Sequence, residues 1–244
     1  MTSAISLSKV EATAPTLVSL YKTAGVSLRK HALEGERAAV YLVLDRSGSM
    51  RPYYRDGTVQ HLAEQVLSLA AHLDDDGTVP LTFFSTDVDG AADLSLTDYE
   101  GRIEKLHGDL GHMGRTNYHW AMDAVIDHYL ASGSGAPALV VFQTDGGPTS
   151  RPAAERYLCK AARLPLFWQF VAFGDPDANE FAFLHKLDEL PVPGRRVVDN
   201  AGFFHAGADP RAVSDAELYD RLLGEFPDWL TAIRARTDIW PVTP

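Results

Sequence analysis

The stretch "LDRSGSM", residues 44–50, places an acid and two hydroxyl groups directly after the apolar run "AAVYLVL". Asp45, Ser47 and Ser49 stand at alternate positions, so their side chains can converge on one point only if the backbone turns sharply there. We expect Gly48 to allow that turn. A carboxylate and two hydroxyls that meet at one point are oxygen ligands for a cation.

Two more oxygen-bearing residues occupy comparable positions further along the chain. Asp145, in "FQTDGGPTS", follows a second apolar run, and Thr116 follows the glycine-rich stretch "GDLGHMGR". Ligands of an open parallel sheet bind beyond the carboxyl ends of its strands, so these side chains should meet above one edge. Small divalent cations prefer such oxygen ligands, and the lack of cysteine or paired histidine argues against zinc. The predicted metal ligands are Asp45, Ser47, Ser49, Thr116 and Asp145.

The elements that must position these residues follow from the pattern of apolar runs. From residue 39 onward, short apolar runs alternate with longer amphipathic stretches, which is typical of strands and helices alternating in a mostly parallel sheet. Predicted strands cover 39–45, 79–86, 137–145, 165–174 and 195–207, with a short edge strand in 87–96. Predicted helices cover 59–74, 117–131, 152–164, 179–190 and 215–236. We therefore expect an α/β fold with a doubly wound, mostly parallel central sheet and helices on both faces.

The region before residue 39 shows a weaker pattern. Residues 1–15 are predicted to be a flexible tail. Apolar residues within 14–33 have the spacing of an amphipathic helix, although Gly25 lies inside it. We expect a single domain over residues 16–240 that includes this N-terminal helical extension.

The net charge, the cysteine count and the lengths of the apolar stretches argue against several classes of function. A formal net charge of −11 argues against nucleic-acid binding, which needs a basic face. The single cysteine, Cys159, excludes an intramolecular disulfide and favours a reducing compartment. The sequence shows neither a signal peptide nor an apolar stretch near the roughly 20 residues of a membrane span. We expect a cytoplasmic protein with no nucleic-acid or membrane partner.

Five ligand positions in this order resemble a known metal site. D-x-S-x-S after the first strand, a threonine on a later glycine-bearing loop and Asp-Gly after the fourth strand resemble the metal-ion-dependent adhesion site (MIDAS) of von Willebrand factor type A domains. The stretches "DGTVQ", "LDDDG", "LDELPVPGRRVVDNAGFF" and "ELYDRLLGEFPDWL" resemble the subgroup associated with bacterial tellurium and chemical-stress resistance. This resemblance implies Mg²⁺ at the upper edge of the sheet, with Mn²⁺ and Ca²⁺ as open alternatives. It also implies that the hydroxyls touch the metal directly and that the aspartates act largely through water.

The resemblance implies a protein-binding module whose cation accepts an Asp or Glu from a partner protein. Two alternatives stay open: a Mg²⁺-dependent, phosphatase-like hydrolase that uses Asp45 as its nucleophile, and a scaffold with a purely structural metal. Hydrolases of the haloacid-dehalogenase type need a second acid two residues after the first, and Ser47 occupies that position here. We therefore expect no catalytic activity.

Basic residues and histidines flank the predicted ligands. We expect Arg46, Arg51, Arg115 and Arg151 to form an exposed basic rim that attracts an acidic partner. His107, His112 and His119 have no spacing typical of a metal site, and we expect them to face solvent or to cap helices.

Overall fold

The structure is a computed structural model that describes residues 3–177, 181–192 and 194–239. Its strands are β1 (Ala39–Asp45), β2 (Thr78–Phe84), β3 (Val88–Ser95), β4 (Ala138–Thr144), β5 (Leu166–Ala172) and β6 (Ala201–His205). Its helices are α1 (Leu7–Thr13), α2 (Val18–Lys30), α3 (Arg51–Arg55), α4 (Thr58–Leu73), α5 (Arg102–Asp109), α6 (Tyr118–Ala131), α7 (Arg151–Ala161), α8 (Ala182–Asp188), α9 (Asp215–Leu222) and α10 (Phe226–Arg234).

The six strands form one sheet in the order β3-β2-β1-β4-β5-β6. The edge strand β3 is antiparallel to β2, and the other neighbouring strands are parallel. This arrangement confirms the predicted α/β fold with a doubly wound, mostly parallel sheet. The short edge strand predicted within 87–96 is β3.

Side chains of the central strands alternate between two apolar layers. Val40, Leu42 and Leu44 pack with α1, α2, α4, α9 and α10 on one face of the sheet. Tyr41 and Val43 pack with α6, α7 and α8 on the other face. Burial on both faces explains why β1 is a continuous apolar run rather than an alternating one.

The order of the strands determines where a ligand can bind. β1 and β4 are parallel neighbours, with Leu44 opposite Gln143, so Asp45 and Thr144 end the two strands side by side. The chain leaves β1 for β2 on one side and later returns to β4 on the other. The carboxyl ends of β1 and β4 therefore form the topological switch point, where sheets of this class bind ligands.

The N-terminal segment differs from the flexible tail predicted for residues 1–15. Ile5 and Val10 are buried, and α1 packs against the apolar layer that contains α4. The backbone N–H groups of Ala4 and Ile5 donate to the carbonyls of His72 and Ala71 at 3.1 and 2.9 Å. This short segment is ordered because tertiary contacts with α4 hold it, and a helix of seven residues carries little sequence signal of its own.

The C-terminal region differs from the single helix predicted for 215–236. The structure has two helices, α9 and α10, separated at residues 223–225. Gly224 lies in the break, and Pro227 occupies the first turn of α10, where its missing N–H costs nothing. The predicted helix 179–190 begins at Ala182 in the structure, and its first two residues, like Trp240, lie outside the described residues.

We expect the folding stability of the chain to depend on pH because of Asp188, the last residue of α8. Burial, and after it the charge of Asp199, raises the pKa of Asp188 from 3.8 to about 6. The folded state therefore binds this proton more tightly than the unfolded chain, and stability should fall as the pH rises from about 4 to about 6. We expect Asp188→Asn to raise the free energy of unfolding by about 1 kcal/mol above pH 7, allowing for partial solvent screening.

Urea unfolding of Asp188→Asn at about pH 7.5 and about pH 4 measures this effect. Most of the gain should be lost near pH 4, where Asp188 is protonated in the folded state and about half protonated in the unfolded chain. Asp127→Asn, which changes an exposed acid on α6, serves as the control. A gain of equal size at both pH values would contradict the titration of Asp188 as its cause.

Candidate metal centre

Two aspartates are joined through two serines at the switch point between β1 and β4. The Ser47 backbone N–H donates to Asp45 Oδ1 at 2.6 Å. Ser47 Oγ and Ser49 Oγ lie 3.1 Å apart and donate to Asp145 Oδ1 at 3.2 and 3.0 Å. Asp45 and Ser47 are buried, whereas Ser49 is exposed, so the cluster opens to solvent at Ser49.

Thr116 joins this cluster through the backbone of its loop. The Thr149 N–H donates to the Thr116 carbonyl at 2.7 Å, and the Gly48 N–H donates to the Gly114 carbonyl at 3.2 Å. These bonds hold residues 114–116 against both the loop after β1 and the loop after β4. The structure thus places all five predicted ligand residues at one edge of the sheet.

Gly114, rather than Gly48, is the glycine that the packing of this edge requires. Gly48 has no positive φ, and a Cβ added to it would meet only Arg51 Nη1, at an ordinary 3.5 Å. A Cβ on Gly114 would lie 2.3 Å from Thr86 Oγ1 and 2.9 Å from Ser85 Oγ. Glycine is therefore not required at position 48, because the turn after β1 uses backbone angles open to other residues.

The electrostatics of the cluster favour a bound cation. Burial, and after it the charge of Asp145, raises the pKa of Asp45 to about 7. Hydrogen bonds from Thr144 Oγ1 and from Ser47 act in the opposite direction. Two carboxylates this close disfavour each other's ionisation, and a divalent cation between them would reverse that interaction.

Two residues that the sequence analysis missed support Asp45. Thr144 Oγ1 donates to Asp45 Oδ2 at 2.6 Å, so both carboxylate oxygens of Asp45 accept hydrogen bonds. The buried Tyr118 hydroxyl lies 3.3 Å from Thr144 Oγ1 and donates to the Gly146 carbonyl. Thr144 directly precedes Asp145 in "QTDGG", which was a usable signal, whereas Tyr118 looks like any other residue of a buried helix face.

Arg46 is buried, which contradicts its predicted place in an exposed rim. Its side chain is 1% exposed, and Nη1 forms an ion pair with Asp89 Oδ2 at 2.7 Å. Its Nε donates to His107 Nδ1 at 3.1 Å, and its Nη2 donates to the Gly111 carbonyl at 3.0 Å. Arg46 therefore anchors β3 and the 107–111 stretch beside the cluster and is not available to steer a partner. Arg51, Arg115 and Arg151 are exposed, as predicted.

The histidines near the cluster differ in their surroundings. His107 stacks on Tyr54 with ring centroids 4.0 Å apart, and burial, followed by the charge of Arg46, lowers its pKa. His107 is thus half-buried against Tyr54 and does not simply face solvent, while His112 is exposed, as predicted. Across the part of the chain that the structure describes, no three His, Cys, Asp or Glu side chains converge as a metal site.

Comparison with known proteins identifies the family. A family model named vWA-TerF-like, described as "vWA found in TerF C terminus", matches residues 37–239. The chain belongs to this family. A relative from Bacillus subtilis (strain 168), named "Uncharacterized protein YcbR", is 37% identical over 213 residues, covering 86% of this chain and 84% of the relative.

Two solved structures share the vWA fold with this vWA-TerF-like chain. Manganese-loaded TRAP protein from Plasmodium vivax superposes with a TM-score of 0.52 at 18% identity, over 76% of this chain and 74% of that protein. A von Willebrand factor type A protein from Catenulispora acidiphila superposes with a TM-score of 0.51 at 16% identity, over 78% of this chain and 42% of that protein. Among the described residues of the vWA-TerF-like chain, no helix has both the length and the apolar character to cross a membrane.

The donor set of the vWA-TerF-like cluster fits a small divalent cation. All of its candidate ligands are oxygens, which Mg²⁺ and Mn²⁺ accept in preference to nitrogen or sulfur. Two carboxylates supply charge, and the exposed side at Ser49 leaves access from solvent. The residues that would hold the ion are Asp45, Ser47, Ser49, Thr116 and Asp145.

Proposed function

We propose that this chain is a protein-binding module that depends on a divalent cation held at the cluster between β1 and β4. The observation that carries the proposal is the pair of aspartates joined through Ser47 and Ser49 at an edge that opens to solvent. The partner is a protein that offers an Asp or Glu to the cation. Mg²⁺ is the proposed ion, and the manganese-loaded relative in fold supports a divalent ion of this kind.

The ligand types suit this mode of binding. Hydroxyl groups of Ser47, Ser49 and Thr116 are uncharged, so a cation that they hold would keep most of its positive charge. Mg²⁺ usually retains several waters, and one of them can be exchanged for a carboxylate oxygen. The affinity of the partner would then depend on both the cation and the partner's acid.

The proposal includes a role in tellurium or chemical-stress resistance in the cytoplasm. The family description, which names the C terminus of TerF, supports the role in resistance. The presence of a single cysteine supports a location in the cytoplasm, because disulfides are rare in reducing compartments.

The proposal includes no catalytic step. Both carboxylate oxygens of Asp45 accept hydrogen bonds, and the residue is fully buried, which leaves it poorly placed to attack a substrate. Ser47 cannot replace the second acid that the hydrolase alternative requires. Turnover of phosphate esters with Mg²⁺ that is lost in Asp45→Asn would favour the hydrolase instead.

Thr116→Ala tests the proposed function. Native cytosol passed over the immobilised chain with Mg²⁺, and again with chelator, should yield a partner that is retained only with Mg²⁺. The purified partner should then bind Thr116→Ala at least about tenfold more weakly than wild type in surface plasmon resonance, a loss of about 1.4 kcal/mol. Thr23→Ala, which removes a hydroxyl from a half-buried threonine on α2, is the matched control and should bind as wild type does.

Equal affinity with Mg²⁺ and with chelator would contradict the metal-bridged mode of binding. A cation that raises thermal stability without changing any association would favour the structural-metal scaffold.

A further inference from the structure

A concentration of positive charge begins close in sequence to the proposed metal centre. α7 begins six residues after Asp145 and exposes Arg151, Arg156 and Lys160. α8 and the segment before β6 add the exposed Lys186 and Arg195. We call these five residues the basic face. It stands out because the chain as a whole has a formal net charge of −11.

Four residues of the basic face surround an open cavity of about 490 Å³. The other lining residues are Pro152, Glu155 and Cys159. Glu155 is 8% exposed, and its carboxylate pairs with Lys186 at 3.3 Å and with Arg195. One buried acid therefore fixes two cations at the wall of the cavity and leaves the lining with an excess of positive charge.

The two remaining arginines of the cavity are held by aromatic rings. The Arg151 guanidinium lies 5.8 Å from the centre of the Phe183 ring, and the Arg156 guanidinium lies 5.8 Å from the centre of the Tyr157 ring. Within the part of the chain that the structure describes, neither arginine pairs with a carboxylate. Arginines oriented in this way lose less entropy when they bind an anion than freely mobile ones do.

We propose that the basic face binds an acidic segment of the partner protein whose Asp or Glu binds the cation. This inference rests on the proposed function and extends it by naming the chemistry of the partner beyond its metal-binding acid. Arg151 lies six residues after Asp145, so the Cα atoms of these two residues lie within about 21 Å of each other. An extended acidic segment of about seven residues spans that distance at about 3.3 Å per residue.

The spacing along α7 is compatible with an extended peptide. Arg151 and Arg156 are five residues apart, which corresponds to about 7.5 Å along the helix axis. Alternate side chains of an extended peptide lie on one face and recur about every 6.6 Å, so acids at every second position match the two arginines.

A fluorescein-labelled peptide of eight glutamates is a direct probe of the basic face. Its binding, followed by fluorescence anisotropy, should weaken with salt, because exposed charges are screened. Arg151→Glu combined with Arg156→Glu should lower the affinity at least about tenfold. Lys9→Glu combined with Lys22→Glu, two exposed reversals on α1 and α2, is the matched control and should leave the affinity unchanged apart from a small effect of net charge.

Cys159 provides a second readout at the same place. It is the only cysteine of the chain and lines the cavity, so a neutral maleimide reports directly on access to that cavity. Saturating peptide should slow the modification of Cys159 several-fold in wild type and not in the arginine double variant. Arg151→Gln combined with Arg156→Gln should give a smaller loss of affinity than the reversal, which separates the role of charge from any effect on folding.

The experiment separates this inference from the proposed function. Thr116→Ala or chelator should remove only the metal-dependent part of peptide binding and leave the arginine-dependent part. Binding that is equal with Mg²⁺ and chelator but lost in the arginine reversal would contradict the metal bridge and support the basic face. Unchanged affinity in the reversal, or unprotected Cys159, would overturn the inference. Phosphatidylserine vesicles that bind in an arginine-dependent way while the peptide does not would also overturn it, in favour of a lipid ligand.

Discussion

Asp145→Asn is expected to lower the affinity of the chain for Mg²⁺ or Mn²⁺ by at least about 100-fold, which corresponds to about 2.8 kcal/mol. The substitution removes one of the two negative charges in the cluster. A charge about 4 Å from a divalent cation contributes several kcal/mol at an effective dielectric constant of about 20. Asparagine keeps an oxygen that can accept from Ser47 and Ser49, so the loops after β1 and β4 should remain in place.

Isothermal titration calorimetry with Mn²⁺ and with Mg²⁺ measures the affinity, and wild type should bind one ion. Thermal unfolding gives an independent check, because an ion that binds only the folded state raises the melting temperature. That increase should be present in wild type and in the Asp127→Asn control on α6, and it should be absent in Asp145→Asn. If Asp145→Asn binds the ion as wild type does, the metal site lies elsewhere.

Asp45→Ala, the variant that the sequence alone suggests, is less informative. The Asp45 carboxylate accepts from the Ser47 N–H and from Thr144 Oγ1 in a fully buried position. Its removal leaves the buried Ser47 N–H without this acceptor, at a cost of about 1–3 kcal/mol, and leaves Thr144 Oγ1 only the Gly146 carbonyl at 3.1 Å. Loss of metal binding in Asp45→Ala would therefore combine a missing ligand with a damaged fold.

The sheet could be predicted because burial determines its sequence pattern. Strands covered by helices on both faces are continuous apolar runs, and β1, β4 and β5 all have this form. Polar residues at the ends of such runs stand out. Asp45 is the last residue of β1, and Asp145 directly follows β4. The topology then brings the ends of β1 and β4 together, so the cluster of these aspartates follows from the same pattern.

The structural features that could not be predicted from the sequence mostly depend on contacts between segments that are distant along the chain. Arg46 follows the strand that ends at Asp45 and looks like an exposed loop residue, but its burial depends on Asp89 and His107, which lie 43 and 61 residues away. The order of the N-terminal segment depends in the same way on α4. The break between α9 and α10 is different, because Gly224 and Pro227 gave a signal in the sequence that amphipathic spacing outweighed.

Gly114→Ala, a substitution in the loop that carries Thr116, is expected to have the second large effect. The backbone N–H groups of Arg115 and Asn117 donate to Thr86 Oγ1 and to the Ser85 carbonyl at 3.0 and 2.9 Å. These bonds hold the loop close to the end of β2. That close approach leaves no space for a Cβ on Gly114, so alanine must push the loop away from Thr86.

We expect Gly114→Ala to destabilise the fold by about 2 kcal/mol, the usual cost of forcing an extra methyl into a packed region. Movement of the loop also displaces Thr116, so the affinity for the divalent cation should fall at least about tenfold, or about 1.4 kcal/mol. Gly111→Ala is the matched control, because a Cβ there has no heavy atom within 4 Å. Urea unfolding and calorimetry with Mn²⁺ on the two variants give both quantities. Wild-type metal affinity in Gly114→Ala, together with reduced stability, would show that this loop supports the fold without positioning a ligand, and would remove Thr116 from the proposed site.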